Sequence, residues 1–340
     1  MEGIRLANTN DISQIMMFIN DHWKEDHILA RDKDFFIYQH QDNDIYQHQD
    51  NDTINYVISL ESGKINGILG FIKYSENNSD IATALWKALK SDARPMIGIE
   101  LLQFLRNQEG YNIVFSPGIN KKTIGIYNYL GIYTNHLNQF LIVNNNLEDY
   151  QILKTKHEKS SMPNNFILNS DYSLSETNES ELEFNFDEYD CFIPHKDKAY
   201  FSKRYFDHPI YNYKVYAVNK QGRVSSLLVT REVVAENSKI LRIMDYLGDE
   251  RDIVYISSHL YQIVLDHDYE YVDFMCFGFS ENILVKAGFT KINLNSNELI
   301  APNYFAPFVQ ANIQIHFMAD TKSISRLRIC KADGDQDRPS

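Results

Sequence analysis

Apolar residues at Ile12, Ile15, Met16, Phe18, Ile19 and Trp23 recur at three- and four-residue steps. That spacing places them on one face of a helix. A short strand at 4–7 precedes the helix, and residues 8–11 supply the turn, with Asp11 as N-cap. The period then changes from helical to alternating. Residues 55–61 alternate as a strand, Ser62 and Gly63 turn the chain, and 64–72 return it as a hairpin. Residues 80–89 make a third consecutive strand. Ile97, Leu101, Leu102 and Leu105 share one face of the next helix. A strand at 111–116 ends at Pro117 and Gly118, a helix at 121–130 is closed by Gly131, and 137–143 form a last strand. The order is β-α-β-β-β-α-β-α-β.

The same order returns after a polar connecting stretch at 144–185, rich in Asn, Ser and Glu. Residues 196–206 read as a helix. A hairpin at 213–218 and 223–230 turns at 220–222 and matches 55–72. A strand at 239–247 matches 80–89, and a helix at 251–267 follows. A strand at 271–277 matches 111–116, and a helix at 281–287 closed by Gly288 matches 121–131. This is an internal repeat of roughly 150 residues in element order, not in identity. A further strand is expected at 313–318.

The copies differ where the third strand enters its helix. The first enters through Arg94-Pro95-Met96-Ile97-Gly98. Helix N-termini present unsatisfied N–H groups and about half a positive charge, so they suit anions. Arg94 adds a cation, and Gly98 permits close backbone approach. The stretch is expected to hold a pyrophosphate, with Met96, Ile97 and Gly98 supplying N–H groups. The second copy enters through Gly248 and the carboxylates Asp249, Glu250 and Asp252, which would repel a phosphate. The donor ligand is therefore assigned to the first half. The second is left for acceptor binding or for closing the cleft.

Residues 37–44 and 45–52 are an identical tandem duplication of eight letters. It is too short and polar for a solenoid unit and reads as a lengthened surface loop or helix end. Copying alone places His40 and His48 in the same context, so no metal site is inferred from them.

The chain has 340 residues, 44% hydrophobic and 23% charged, as expected of a soluble globular protein of two domains. The divisions expected are 1–145, a connecting segment at 146–190, and 191–340. A net charge of −13 argues against nucleic acid or an anionic membrane as partner, though not against one phosphorylated small molecule. Cys191, Cys276 and Cys330 are widely spaced and read as reduced thiols, without metal-ligand spacing. No signal segment or membrane span is read, so a cytoplasmic protein is expected. Two copies supply both sides of a cleft within one chain, which makes a monomer sufficient.

The element order, the Arg94-xxx-Gly98 loop and the helix end Tyr127-Asn128-Tyr129-Leu130-Gly131 resemble the GNAT superfamily of CoA-dependent N-acyltransferases. The loop departs from the superfamily's Arg/Gln-x-x-Gly-x-Gly/Ala pattern, with glycine one position late and Glu100 where a small residue is expected. The chain is further similar to two-domain members acting on nucleotide-linked deoxyamino sugars in bacterial surface-polysaccharide clusters. That likeness rests on residues 4–7 with Asp11, His22-Trp23 through His27 to Asp32, Lys203-Arg204-Tyr205 with His208-Pro209, and the tail 333–339.

The resemblance implies an α/β (α+β) fold of tandem GNAT-like domains, each a mixed, mainly antiparallel sheet flanked by helices. It implies acyl-CoA as co-substrate, with pantetheine along 83–89 and a backbone N–H near Leu85, Trp86 or Lys87 polarising the thioester. Tyr127 stands where members place the acid that protonates the departing thiolate, and Asn120 is a CoA contact by the same likeness. Base candidates are His22, His27, Glu100 and Asp245; burial of Asp245 would raise its carboxyl. The loop carrying His22, Trp23 and His27 is a candidate sugar or amine contact. Lys203 and Arg204 are the nearest basic pair for a diphosphate. Tyr205, Tyr211 and Tyr213 are candidate stacking surfaces, and Asp333 opens the tail. The acceptor expected is a nucleotide-linked, dTDP-type amino sugar for O-antigen or capsule synthesis. Another amine, or a non-catalytic CoA-binding module, is the alternative.

Overall fold

A computed structural model describes residues 3–41, 52–75, 80–90, 95–107, 111–156, 165–189 and 191–334. The first half contains β1 (Gly3–Asn8), α1 (Ile12–His22), α2 (Ile28–Arg31), α3 (Lys33–His40), β2 (Thr53–Glu61), β3 (Lys64–Lys73) and β4 (Asp80–Ala88). It continues with α4 (Ile97–Arg106), β5 (Ile113–Ile119), α5 (Ile124–Tyr129), β6 (Tyr133–His136) and β7 (Asn138–Val143). Then come β8 (Lys154–Thr155), β9 (Tyr172–Thr177), α6 (Lys198–Phe201), β10 (Lys214–Lys220), β11 (Arg223–Ala235), β12 (Ser238–Gly248), α7 (Ile253–Asp266), β13 (Tyr271–Phe277) and α8 (Glu281–Lys286). The chain ends with β14 (Thr290–Lys291), β15 (Leu299–Ile300), β16 (Tyr304–Phe305), β17 (Phe308–Val309), β18 (His316–Asp320) and β19 (Ile329–Cys330).

Two sheets organise these elements. The first runs β1-β2-β3-β4-β5-β18-β6; the second runs β14-β7-β13-β12-β11-β10-β9, with β19 added to β13. All neighbours are antiparallel except β4 with β5 and β12 with β13. The sheets exchange one strand each. β18 sits between β5 and β6 of the first, and β7 sits between β13 and β14 of the second. Sheet membership therefore does not follow a chain division near residue 145. The strand read at 137–143 is present as β7, but it completes the other half's sheet. The segment Tyr133–His136, to which the sequence pattern assigns no element, is a separate edge strand.

Burial explains why the central strands carry near-continuous apolar runs. Ile54, Tyr56 and Ile58 of β2 pack beneath α1 and α3 with Ile15, Phe18, Ile19 and Phe36. Val57, Leu69 and Phe71 face α4 through Ile97, Leu101 and Leu105. In the second sheet, Leu241 and Ile243 pack on α7 through Ile256, Leu260 and Val264. Between the sheets, Tyr74 and Phe115 meet Ile193, Tyr200, Met275, Phe317 and Ile329.

Several local expectations change. Asp11 turns back rather than forward: its carboxylate accepts the Asn8 N–H and pairs with Arg5 at 2.7 Å. Residues 37–40 of the first copy of the tandem duplication form the last turn of α3. Its His40 is fully buried, with Nδ1 3.3 Å from the Phe71 carbonyl. His48 lies outside the described residues, as does Arg94.

Candidate active site

The parallel pairing of β4 with β5 is brief. It covers Asp80/Ile113, Ile81/Val114 and Ala82/Phe115, and then the strands part. A bulge follows on β4. Leu69 opposes Trp86 and Phe71 opposes Thr83, so Ala84 and Leu85 both face Gly70. Gly70 is needed there because a Cβ would lie 2.8 Å from the Tyr56 ring. Among the described residues no strand takes the β5-facing edge of β4 beyond Ala82. Beyond that point, the alternate backbone groups of residues 84–88 that do not serve β3 border an open wedge.

Alternation divides the bulge's side chains. Leu85 is buried with α1 and α3, while Trp86 packs toward α4 and α5. Trp86 lies 6.0 Å, centroid to centroid, from the Tyr127 ring. The wedge opens at its far end onto the first turn of α4. Met96 is the N-cap residue and brings no side-chain hydrogen bond, so the N–H groups of Ile97 and Gly98 precede the helix's own bonding. Gly98 has ordinary room: among the described residues a Cβ would meet Trp86 Nε1 at 3.7 Å and Ala88 at 3.8 Å. The close approach expected of this glycine is not required by the protein's own packing.

Tyr127 is 3% exposed, and burial raises its phenol to about 12. A phenol so held keeps its proton at neutral pH, so it stands beside the wedge as a proton donor and not as a base. Asn120 is a cap: its Oδ1 accepts the Lys122 N–H at 3.0 Å and starts the turn leading into α5.

The second half repeats this frame and closes it. β12 pairs with β13 through Leu241/Val272, Arg242/Asp273 and Ile243/Phe274, and then diverges at a bulge containing Met244. At the start of α7 the Asp252 carboxylate accepts from Ser225 Oγ at 2.8 Å, Ser226 Oγ at 2.9 Å and Tyr172 OH at 3.1 Å. An internal anion thus stands where the first half leaves a helix N-terminus open.

Asp245 does not face water, as a strand-edge position would suggest, but is fully buried. Lys196 Nζ lies 2.7 Å from both its carboxylate oxygens, and Tyr205 OH donates to it at 2.6 Å. The same ammonium lies 2.7 Å from Asp333. Burial alone would depress Lys196; the flanking Asp245 and Asp333 outweigh it and hold it raised. Burial raises the Asp333 carboxyl to about 6, against the pull of Lys196. Asp245, Asp333 and Cys330 have the composition of a metal-ligand set. Lys196 takes the cation's position among them.

The remaining sequence candidates fall in three places. His22 and Trp23 are exposed at the end of α1, with His22 edge-on to Phe18. His27 caps α2, its Nδ1 accepting the Leu29 N–H. Lys203 and Arg204 line a cleft between the halves with Tyr38, Lys73, Tyr74 and Tyr200. Tyr38 OH donates to the Lys203 carbonyl at 2.6 Å, and Arg204 donates to the Ala332 carbonyl at 3.2 Å. Tyr205 is core, committed to Asp245, and cannot offer a stacking face. Tyr211 is half-buried beneath Arg231, whose guanidinium lies 3.8 Å from its ring centroid. Asp333 is buried rather than part of a loose tail. Lys196 escaped sequence reasoning because a lone lysine between His195 and Asp197 carries no local signal.

The chain matches no family model and no curated protein. Solved structures do share its architecture. A GCN5-related N-acetyltransferase from Anabaena variabilis ATCC 29413 has a TM-score of 0.53 at 10% identity, over 93% of this chain and 71% of its own. A protein from Enterococcus faecalis V583 described as a probable N-acyltransferase gives 0.53 at 7% identity, over 94% and 73%. The fold is that of the GCN5-related N-acetyltransferases, built as two copies in one chain.

Proposed function

We propose that the protein is an acyl-CoA-dependent N-acyltransferase whose donor site is the wedge between β4 and β5. The observation that carries this reading is the open, bulged edge of β4 running into the uncapped first turn of α4, with Tyr127 beside it. In this reading N–H groups at 85–87 hold the thioester carbonyl and receive its developing negative charge. Ile97 and Gly98 hold the pyrophosphate. The acceptor amine attacks as the free base, and Tyr127 donates its proton to the departing thiolate.

The acceptor we propose is a nucleotide-linked amino sugar entering through the cleft between the halves. Lys73, Lys203 and Arg204 on that cleft offer charge for a diphosphate, and Tyr38 and Tyr200 offer aromatic surface, in a protein that is otherwise strongly acidic. His22 and His27 remain proposed bases, as imidazoles that can accept a proton. Asp245 is withdrawn from that role, because Lys196 and Tyr205 saturate its carboxylate. Incubation with acetyl-CoA and each amine class, following free thiol, tests the reading. Release with nucleotide-linked amino sugars is expected. Release only with amino acids or aminoglycosides would move the acceptor assignment to those amines, and CoA binding without turnover on any amine would make the protein a binding module.

A further inference from the structure

The two wedges differ in what lies inside them. One edge of β13 carries β7, and Cys276 pairs with Asn138 of that strand. Cys276 also pairs with Cys330 of β19. β19 therefore occupies the opposite edge of β13, the one that β12 leaves beyond Ile243. In the first sheet the corresponding edge of β5 receives no strand beyond Phe115 among the described residues. After β19 the chain makes a tight turn, Lys331–Asp333, in which Asp333 accepts the Cys330 N–H at 2.7 Å. Lys196 then ties Asp333 to Asp245 at the bulge of β12. The carbonyls of Ala332 and Asp333 in turn accept from Arg204 and Tyr74 on the cleft wall.

We infer that residues 329–334 are a built-in plug of the second half's cofactor wedge, clamped by Lys196. The chain consequently takes one acyl-CoA, in the first half. The plug fills this wedge from the β13 side by strand pairing, whereas pantetheine in the first half would pair across the wedge with the β4 edge. It also removes an unpaired strand edge from a half that no longer uses one. The clamp is a positioning device, since Lys196 acts on the cleft only through the segment it holds.

The inference rests on the first wedge being the donor site, and two measurements separate its failure from the failure of that reading. In calorimetric titration of the full chain with CoA, one site per chain is expected. Two sites overturn the plug. No site overturns the proposed function, and the plug is then judged by thiol labelling. In native protein the exposed Cys191 should label with iodoacetamide while the buried Cys276 and Cys330 resist. Lys196→Met should speed labelling of Cys276 and Cys330 at least tenfold, with amide exchange in β2 unchanged. Unchanged labelling at those two thiols would show that Lys196 clamps nothing. Should Lys196→Met not fold, Asp333→Asn removes the other end of the clamp and carries the same test.

Discussion

Tyr127 and Asp333 show how one fold moves two acids in the same direction for different ends. Burial raises both. For Tyr127 the consequence is a phenol that stays protonated at neutral pH and is therefore present as a donor. Tyr127→Phe should lower kcat for thiol release by roughly a hundredfold, the lower end of the range for general acid catalysis, with CoA affinity nearly unchanged. An unaltered kcat would remove Tyr127 from the mechanism. For Asp333 the consequence is for stability. Its folded value, about 6, lies above the ordinary aspartate value near 4. Folding therefore takes up a proton between those values, and this group's contribution to stability grows as pH falls from 7 toward 4. Denaturant unfolding at pH 7 and pH 5 should show the gap between wild type and Asp333→Asn shift toward wild type by on the order of 1 kcal/mol at pH 5. A constant gap would mean that the carboxyl does not titrate there.

At the scale of elements, α4 and α7 are a matched pair with opposite electrostatics at their starts. Met96 precedes α4 as Asp252 precedes α7. Met96 is 51% exposed, so a substitution there disturbs no packing. Met96→Asp should leave the melting temperature unchanged or slightly higher, since aspartate suits both an N-cap and the helix dipole. The same change should weaken CoA binding about tenfold, equivalent to about 1.4 kcal/mol, by placing a carboxylate beside the pyrophosphate. Equal affinity would mean that this helix end does not hold the phosphates. Element patterns also show where sequence reading succeeds. β13 spans the residues expected of it because a seven-residue run that is apolar except for Asp273, bounded by turns, has few other folds. β9 was missed although Tyr172-Ser-Leu-Ser-Glu-Thr177 alternates. Its polar positions are solvated at a sheet edge, so its composition looks like that of the connecting stretch around it. Residues 28–40 form α2 and α3, a stretch to which the sequence pattern assigns no helix beyond the alternative of a helix end in the duplication.

Across the whole molecule the exchange of β7 and β18 makes the halves interdependent. Phe317 of β18 is fully buried and meets Tyr133 of the first half at 6.2 Å and Phe277 of the second at 4.8 Å. Phe317→Ala should cost about 3–5 kcal/mol, as expected for a large aromatic removed from a packed core. Heating should unfold both halves in one transition, with calorimetric and van't Hoff enthalpies equal. Two resolved transitions would show that the exchanged strands do not couple the sheets.

Hydrophobic period and turn chemistry alone determined the order of the main strands and helices, their repetition and the charge contrast at the two helix starts. These are local properties, written within a dozen residues of where they act. Only the tertiary structure decided which sheet each strand joins, that β4 parts from β5 at a bulge beside Tyr127, and that the matching wedge is filled from the C-terminal side. Pairings such as Cys276 with Cys330, or Lys196 with Asp245 and Asp333, join residues far apart in the chain. Burial and edge complementarity select those partners, and neither is encoded in the neighbours of any one of them. The anion-suited helix start that the sequence offered becomes a candidate donor site because the fold leaves the wedge behind it open.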